Sequence, residues 1–237
     1  MQSAARQDRK PPLPRLLIAG ATGVLGTEVV RRLSGQFGAT CVLAKEPITP
    51  GLRGVSSMLV SLESPLQWPL RHADTGIILF EPPRLFHDRE RALWTPQPAQ
   101  LVEVAQWMRR CGVGTLAVVL PHQQGRLPEA LKRGLASLDE HAVAALHFER
   151  LLFVRTAQKP GPTPPDQLLP RLANWMLSIL KYMVPSSEQP VRAVKVAEFV
   201  SAALRIAPAG IHIAAPELVW RAAQGELAAT VRRWLLG

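Results

Sequence analysis

Apolar residues follow two alternating patterns along this chain. The run Leu16–Ala19 is continuous, which predicts a strand that is covered on both faces. In Val24–Leu33 the apolar residues recur every four positions, which predicts a helix with one buried stripe. Further strands are predicted over Cys41–Ala44, Met58–Val60, Gly76–Phe80, Leu116–Leu120, Leu151–Val154 and Ile211–Ile213. Further helices are predicted over Ala99–Arg110, Pro128–Leu146, Leu168–Met183, Val196–Leu204 and Glu217–Leu227.

The order of these elements predicts the fold class. Strands that alternate with helices at this spacing form a parallel α/β sheet, doubly wound by right-handed crossovers. Residues 1–14 are basic and rich in proline, so we expect a disordered tail. Residues 15–158 would form the core of the sheet. Residues 159–237 would form a small C-terminal α/β subdomain that completes the same domain.

Composition narrows the classes of partner. The net charge is +10, but the cations are scattered in pairs without a zinc-finger or RNA-binding motif, so we do not expect nucleic acid as a partner. Cys41 and Cys111 are too few for a disulfide framework, and they predict free thiols in a reducing compartment. No secretory signal or membrane-spanning run is visible, so we expect a cytoplasmic protein. His141 and His147 lie on different helix faces, so no metal site is predicted.

A glycine-rich loop carries the strongest chemical signal. Gly20-Ala21-Thr22-Gly23-Val24-Leu25-Gly26 stands directly between the first strand and the first helix. Gly20 allows a sharp turn, Gly23 allows close approach of an anion, and Gly26 allows the helix to pack against the sheet. The helix N-terminus supplies unpaired N–H groups and a partial positive charge. The loop therefore predicts a Rossmann-type domain that binds a dinucleotide through its pyrophosphate.

The same run resembles the extended and atypical short-chain dehydrogenase/reductases, most closely their NAD(P)H-binding, sugar-epimerase-like subgroup. The resemblance continues over about 15–225, through Val42–Pro47, which resembles the family's second strand, and through Asp74–Ile78, Gln100–Val119, His147–Arg155 and Val191–Ala197. It implies a Rossmann fold and a nicotinamide cofactor.

Lys45 decides the expected cofactor. An acidic residue at the end of the second strand would accept hydrogen bonds from the ribose of NAD, whereas Lys45 would favour the 2′-phosphate of NADP. The alternative is a solvated surface lysine, and the neighbouring Glu46 weakens the signal. We expect NADP, with NAD less favoured, and we expect Leu62 and Phe80 to complete the cofactor contacts.

The catalytic residues of the family are missing. Its enzymes use a tyrosine as acid/base, a lysine four residues later and an orienting serine. Tyr182 is followed four positions on by Ser186, and Lys132 stands where the resemblance places the tyrosine. His122, after the fifth strand, and Lys132 are the weak candidates for a replacement acid/base.

Three hypotheses remain open at this stage. The first is an NADP-binding protein that senses redox state or sets affinity for a protein partner or a second copy. The second is an oxidoreductase or epimerase-like enzyme that acts on a small carbonyl substrate through a substituted acid/base. The third is a scaffold without any cofactor. Arg84, Arg89 and Arg91 form a basic segment that is either a solvated lid or a contact for an anionic substrate or partner.

Overall fold

The computed structural model describes residues 13–49, 51–61, 64–84, 87–122, 134–157 and 191–237. Within these ranges one parallel sheet has the strand order β3-β2-β1-β4-β5-β6-β7. The strands are β1 (Arg15–Ala19), β2 (Ala39–Ala44), β3 (Val55–Leu59), β4 (Thr75–Leu79), β5 (Thr115–His122), β6 (Arg150–Ala157) and β7 (Gly210–Ala214). The order reverses between β1 and β4, as in a Rossmann fold, which confirms the predicted α/β class.

Helices cover both faces of this sheet. They are α1 (Gly23–Leu33), α2 (Asp88–Arg91), α3 (Leu101–Arg110), α4 (Leu138–Ala144), α5 (Ala193–Ile206), α6 (Pro216–Gln224) and α7 (Leu227–Leu236). One core joins the sheet to α1, α5, α6 and α7, and the other joins it to α3 and α4. The inner strands are almost fully buried because they pack on helices from both sides, which explains their continuous apolar sequence.

Three predicted elements differ from those observed. The third strand is Val55–Leu59 rather than Met58–Val60, and it is only half-buried because it forms the edge of the sheet beside β2. The last predicted helix, Glu217–Leu227, ends earlier, at Gln224 before Gly225, and a further helix that was not predicted, α7, follows it. The helix predicted over Pro128–Leu146 begins at Leu138, where the Ser137 side chain accepts a hydrogen bond from the Glu140 N–H.

Some predictions fall outside the described residues. They include the first part of Pro128–Leu146, the helix Leu168–Met183, and the side chains of Leu62, Lys132 and Tyr182. No helix in the described ranges is long and apolar enough to cross a membrane. The same ranges contain no group of three His, Cys, Asp or Glu side chains that could hold a metal ion.

Candidate functional site

The glycine loop has the backbone geometry that an anion cradle requires. Gly20 and Gly23 have φ of 81° and 70°, a conformation that other residues rarely adopt. A Cβ at Gly26 would lie 2.4 Å from the carbonyl carbon of Ala21, so only glycine permits this packing of α1. The first N–H groups of α1 thus point into the space beside Gly23 that a Cβ on this residue would occupy. We call these N–H groups and that space the cradle.

The Glu81 side chain fills the space beside Gly23. This residue directly follows β4, the neighbour of β1, so it stands beside the loop at the carboxyl edge of the sheet. Its Oε2 accepts a hydrogen bond of 2.5 Å from the Leu25 N–H. A Cβ at Gly23 would lie only 2.4 Å from the Glu81 Cδ. The carboxylate therefore lies against the glycine that would face a pyrophosphate.

A second carboxylate binds the same loop. Glu90 lies in α2 and is only 7% exposed. Its Oε2 accepts a 3.0 Å hydrogen bond from the Gly23 N–H and another from the Arg84 N–H, while its Oε1 pairs with the Arg84 guanidinium. Arg84 therefore balances the charge of Glu90, although its own side chain remains 40% exposed.

The two carboxyl groups respond differently to this environment. Burial raises the pKa of Glu81, and the negative charge of Glu90 adds to the rise. The hydrogen bonds from the N–H groups of Leu25, Val24 and Gly26 oppose it but do not cancel it. Burial also disfavours the charged form of Glu90, but its hydrogen bonds to Arg84 and Gly23 hold its pKa below the ordinary value. Protonated Glu81 therefore contributes stability at low pH, and this contribution is lost as pH rises through the raised pKa of Glu81. Ionised Glu90 adds stability that is lost as pH falls through its depressed pKa.

The chain also crosses the ends of β1 and β2. Leu93 forms an antiparallel bridge with Ala44, and the Trp94 N–H donates to the Leu43 carbonyl at 3.0 Å. On the other side, the Gly20 N–H donates to the Trp94 carbonyl at 3.2 Å. The Leu93-Trp94 pair therefore lies between the first glycine of the loop and the end of β2, where a Rossmann site places the adenosine ribose.

The other predicted cofactor residues lie at the same edge of the sheet. The Lys45 side chain is exposed directly after β2, while its N–H donates to the Ala92 carbonyl at 2.7 Å. Phe80 directly follows β4 and packs partly into the core on the α3 face. Ala21 and Thr22 are buried in the loop, and the Thr22 hydroxyl donates to the Glu81 carbonyl. Leu62 lies outside the described residues.

The side chains of His122 and Lys132, the two candidates for a replacement acid/base, lie outside the part of the chain that the structure describes. His122 is the last residue of β5, opposite Ala157 of β6, and its backbone is therefore at the edge where the resemblance places the reacting group. Lys132 lies outside the described residues. The structure thus brings the glycine loop, Lys45 and Phe80 to one edge of the sheet and leaves the acid/base assignment untested.

A buried ion pair lies between α4 and β6. Arg155, near the end of β6, donates to Glu140 of α4 at 2.7 Å and to the Gly134 carbonyl at 2.7 Å. The two side chains are 2% and 6% exposed. This pair ties α4 to the sheet. Sequence reasoning missed it because neither residue belongs to the family's catalytic motif.

The sequence matches no protein-family model and no curated protein. Among solved structures, it is similar to the enzyme WbmG of Bordetella bronchiseptica in complex with NAD, at 12% identity and TM-score 0.46, over 93% of this chain and 81% of that one. It is also similar to the UDP-N-acetylglucosamine 4-epimerase of Bacillus cereus, at 11% identity and TM-score 0.46, over 89% and 82% of the two chains. MoeE5 in complex with UDP-glucuronic acid and NAD gives 15% identity and TM-score 0.47, over 84% and 75%.

The cradle can be tested for its fit to a dinucleotide. The loop backbone suits a pyrophosphate, because its N–H groups already bind anionic oxygens. The space does not suit one, because Glu81 and Glu90 bind those N–H groups and Leu93-Trp94 covers the end of β2. In this structure a dinucleotide does not fit unless these side chains move away from the loop.

Proposed function

We propose that this protein is a short-chain-dehydrogenase-like binding module that recognises NADP(H) and does not catalyse phenol-assisted hydride transfer. One observation carries the proposal: the N–H groups of Gly23 and Leu25 hold carboxylate oxygens at the start of α1. A loop that binds two carboxylates in this way has the donor geometry that an anionic ligand needs. The preference for NADP rests on Lys45, whose exposed cation follows β2 directly.

The module would signal to a partner protein, or to a second copy of the chain, whether a nucleotide is bound. Nucleotide entry requires residues 81–84 and 87–96 to rearrange, so the surface that they form would differ between the two states. By linkage, a partner that prefers one state changes the affinity for NADPH by the same factor by which NADPH changes the affinity for the partner.

Thermal unfolding with nucleotides tests cofactor recognition. A ligand at about 100 times its Kd stabilises the folded state by about 2.7 kcal/mol, so saturating NADPH should raise the unfolding midpoint clearly. NADPH should act at lower concentration than NADH, and Lys45→Asp should remove that difference because a carboxylate repels the 2′-phosphate. Arg221→Asp, the same charge reversal on the exposed side of α6, should leave the preference unchanged. Equal binding of both nucleotides by the unmodified protein would make Lys45 an ordinary surface lysine.

An assay of turnover tests the absence of the usual chemistry. We expect no detectable NADPH oxidation with aldehydes, ketones or quinones, because the tyrosine, lysine and serine of the family are missing. Loss of acid/base assistance alone costs about 10²–10⁴-fold in rate. His122→Ala and Lys132→Ala serve as the informative variants. Robust turnover that either substitution abolishes would favour the alternative, an enzyme that uses that residue as its acid.

A further inference from the structure

The residues that follow β4 contact the cradle from several directions. We call residues 81–84 and 87–96 the closing segment. It places the Glu81 and Glu90 carboxylates on the Leu25 and Gly23 N–H groups, and it places the Trp94 carbonyl on the Gly20 N–H. Its contacts with the loop therefore involve the same N–H groups that a pyrophosphate would need.

The closing segment is anchored in the core at Trp94. Trp94 is 4% exposed, and its ring meets Trp68 edge-on with centroids 4.8 Å apart. Trp68 in turn meets Trp107 of α3 at 5.2 Å. The Arg84–Glu90 pair closes the segment on itself. These contacts make the closed arrangement a built feature of the fold rather than a loose loop over an open site.

We infer that the chain closes its own nucleotide site, with Glu81 as the side chain that an incoming pyrophosphate must displace. This inference rests on the proposed function, and it adds how access to the site is controlled. The Leu25 N–H cannot serve both the Glu81 carboxylate and a phosphate oxygen at once. A phosphate beside ionised Glu81 would also be repelled. Ligand affinity therefore depends on the competition between the ligand and the Glu81 carboxylate for the Leu25 N–H.

Substitution of Glu81 tests this competition with two probes, inorganic pyrophosphate and NADPH. Glu81→Ala removes both the charge and the acceptor, and Glu81→Gln keeps an acceptor but removes the charge. We expect the alanine variant to bind pyrophosphate at least about tenfold more tightly than the unmodified protein, since a hydrogen bond to a charged group is worth that much. The glutamine variant should fall between them. Calorimetric titration measures both probes.

A matched control separates this effect from net charge. Glu28→Ala removes a carboxylate from α1 that pairs with Arg31 and does not touch the cradle, so it should leave both affinities unchanged. In the unliganded protein, the NMR amide signals of Leu25 and Gly26 should move in Glu81→Ala and not in Glu28→Ala.

The outcomes distinguish the two proposals. Equal pyrophosphate affinity in Glu81→Ala and the unmodified protein would overturn the closure by Glu81, whatever NADPH does. Tighter pyrophosphate binding in Glu81→Ala, with no NADPH binding by any variant, would support the closure and refute NADP(H) as the ligand. Tighter binding of both probes would support both.

Discussion

Replacement of Glu140 by alanine should lower the free energy of unfolding by about 3–5 kcal/mol. Glu140 and Arg155 are almost fully buried, and their 2.7 Å ion pair compensates the desolvation of both charges. Removal of the carboxylate takes one charged partner from the buried Arg155 guanidinium, and the breaking of a buried ion pair from one side typically has this cost. The Ala136 N–H would also lose the Glu140 carboxylate as its acceptor. Urea unfolding measures the change.

Two comparisons make this expectation specific. Asp139→Ala removes an exposed carboxylate one residue earlier in α4 and should change the free energy of unfolding by less than about 1 kcal/mol. The double change Glu140→Leu with Arg155→Met replaces the pair by apolar side chains, and it should cost less than Glu140→Ala alone. A loss below about 1 kcal/mol in Glu140→Ala would show that the pair is solvated in solution.

The fold could be predicted from the sequence because its main signals are local. Continuous apolar runs predicted five of the strands near their observed positions, since the inner strands are buried on both faces, and the run Ile211-His212-Ile213 predicted β7. The half-polar run Val55-Ser56-Ser57 concealed the start of β3, which lies at the edge of the sheet. The glycine loop was recognised because its three glycines, the strand and the helix are adjacent in sequence.

The closure of the cradle could not be predicted in the same way. Glu81 and Leu25 are 56 residues apart, and Gly23 and Glu90 are 67 apart, so the hydrogen bonds between them depend on the tertiary fold. One signal was available: Phe80-Glu81-Pro82 places an acid directly after β4, and a doubly wound sheet brings the end of β4 beside the loop after β1. A carboxylate at that position argues against an open pyrophosphate site. Intact glycines alone therefore predict the shape of the cradle and not its occupant.

Replacement of Trp94 by alanine should have two effects, on stability and on ligand affinity. The indole is buried in the core on the α3 face of the sheet, against the Trp68 ring, so its loss should lower the free energy of unfolding by about 3–5 kcal/mol. Without this anchor, the Leu93-Trp94 pair should leave the end of β2 more readily. NADPH should therefore bind more tightly to Trp94→Ala than to the unmodified protein.

A second tryptophan provides the control for this experiment. Trp234 of α7 stacks on Phe199 of α5 on the opposite face of the sheet, at 5.5 Å between centroids, and its loss should also reduce stability. Trp234→Ala should nevertheless leave the affinity for NADPH unchanged, because it does not touch the closing segment. Unfolding and nucleotide titration of both variants separate general destabilisation from release of the site. If Trp94→Ala loses stability but binds NADPH no more tightly than Trp234→Ala does, then Trp94 serves the core alone and does not keep the ribose position closed.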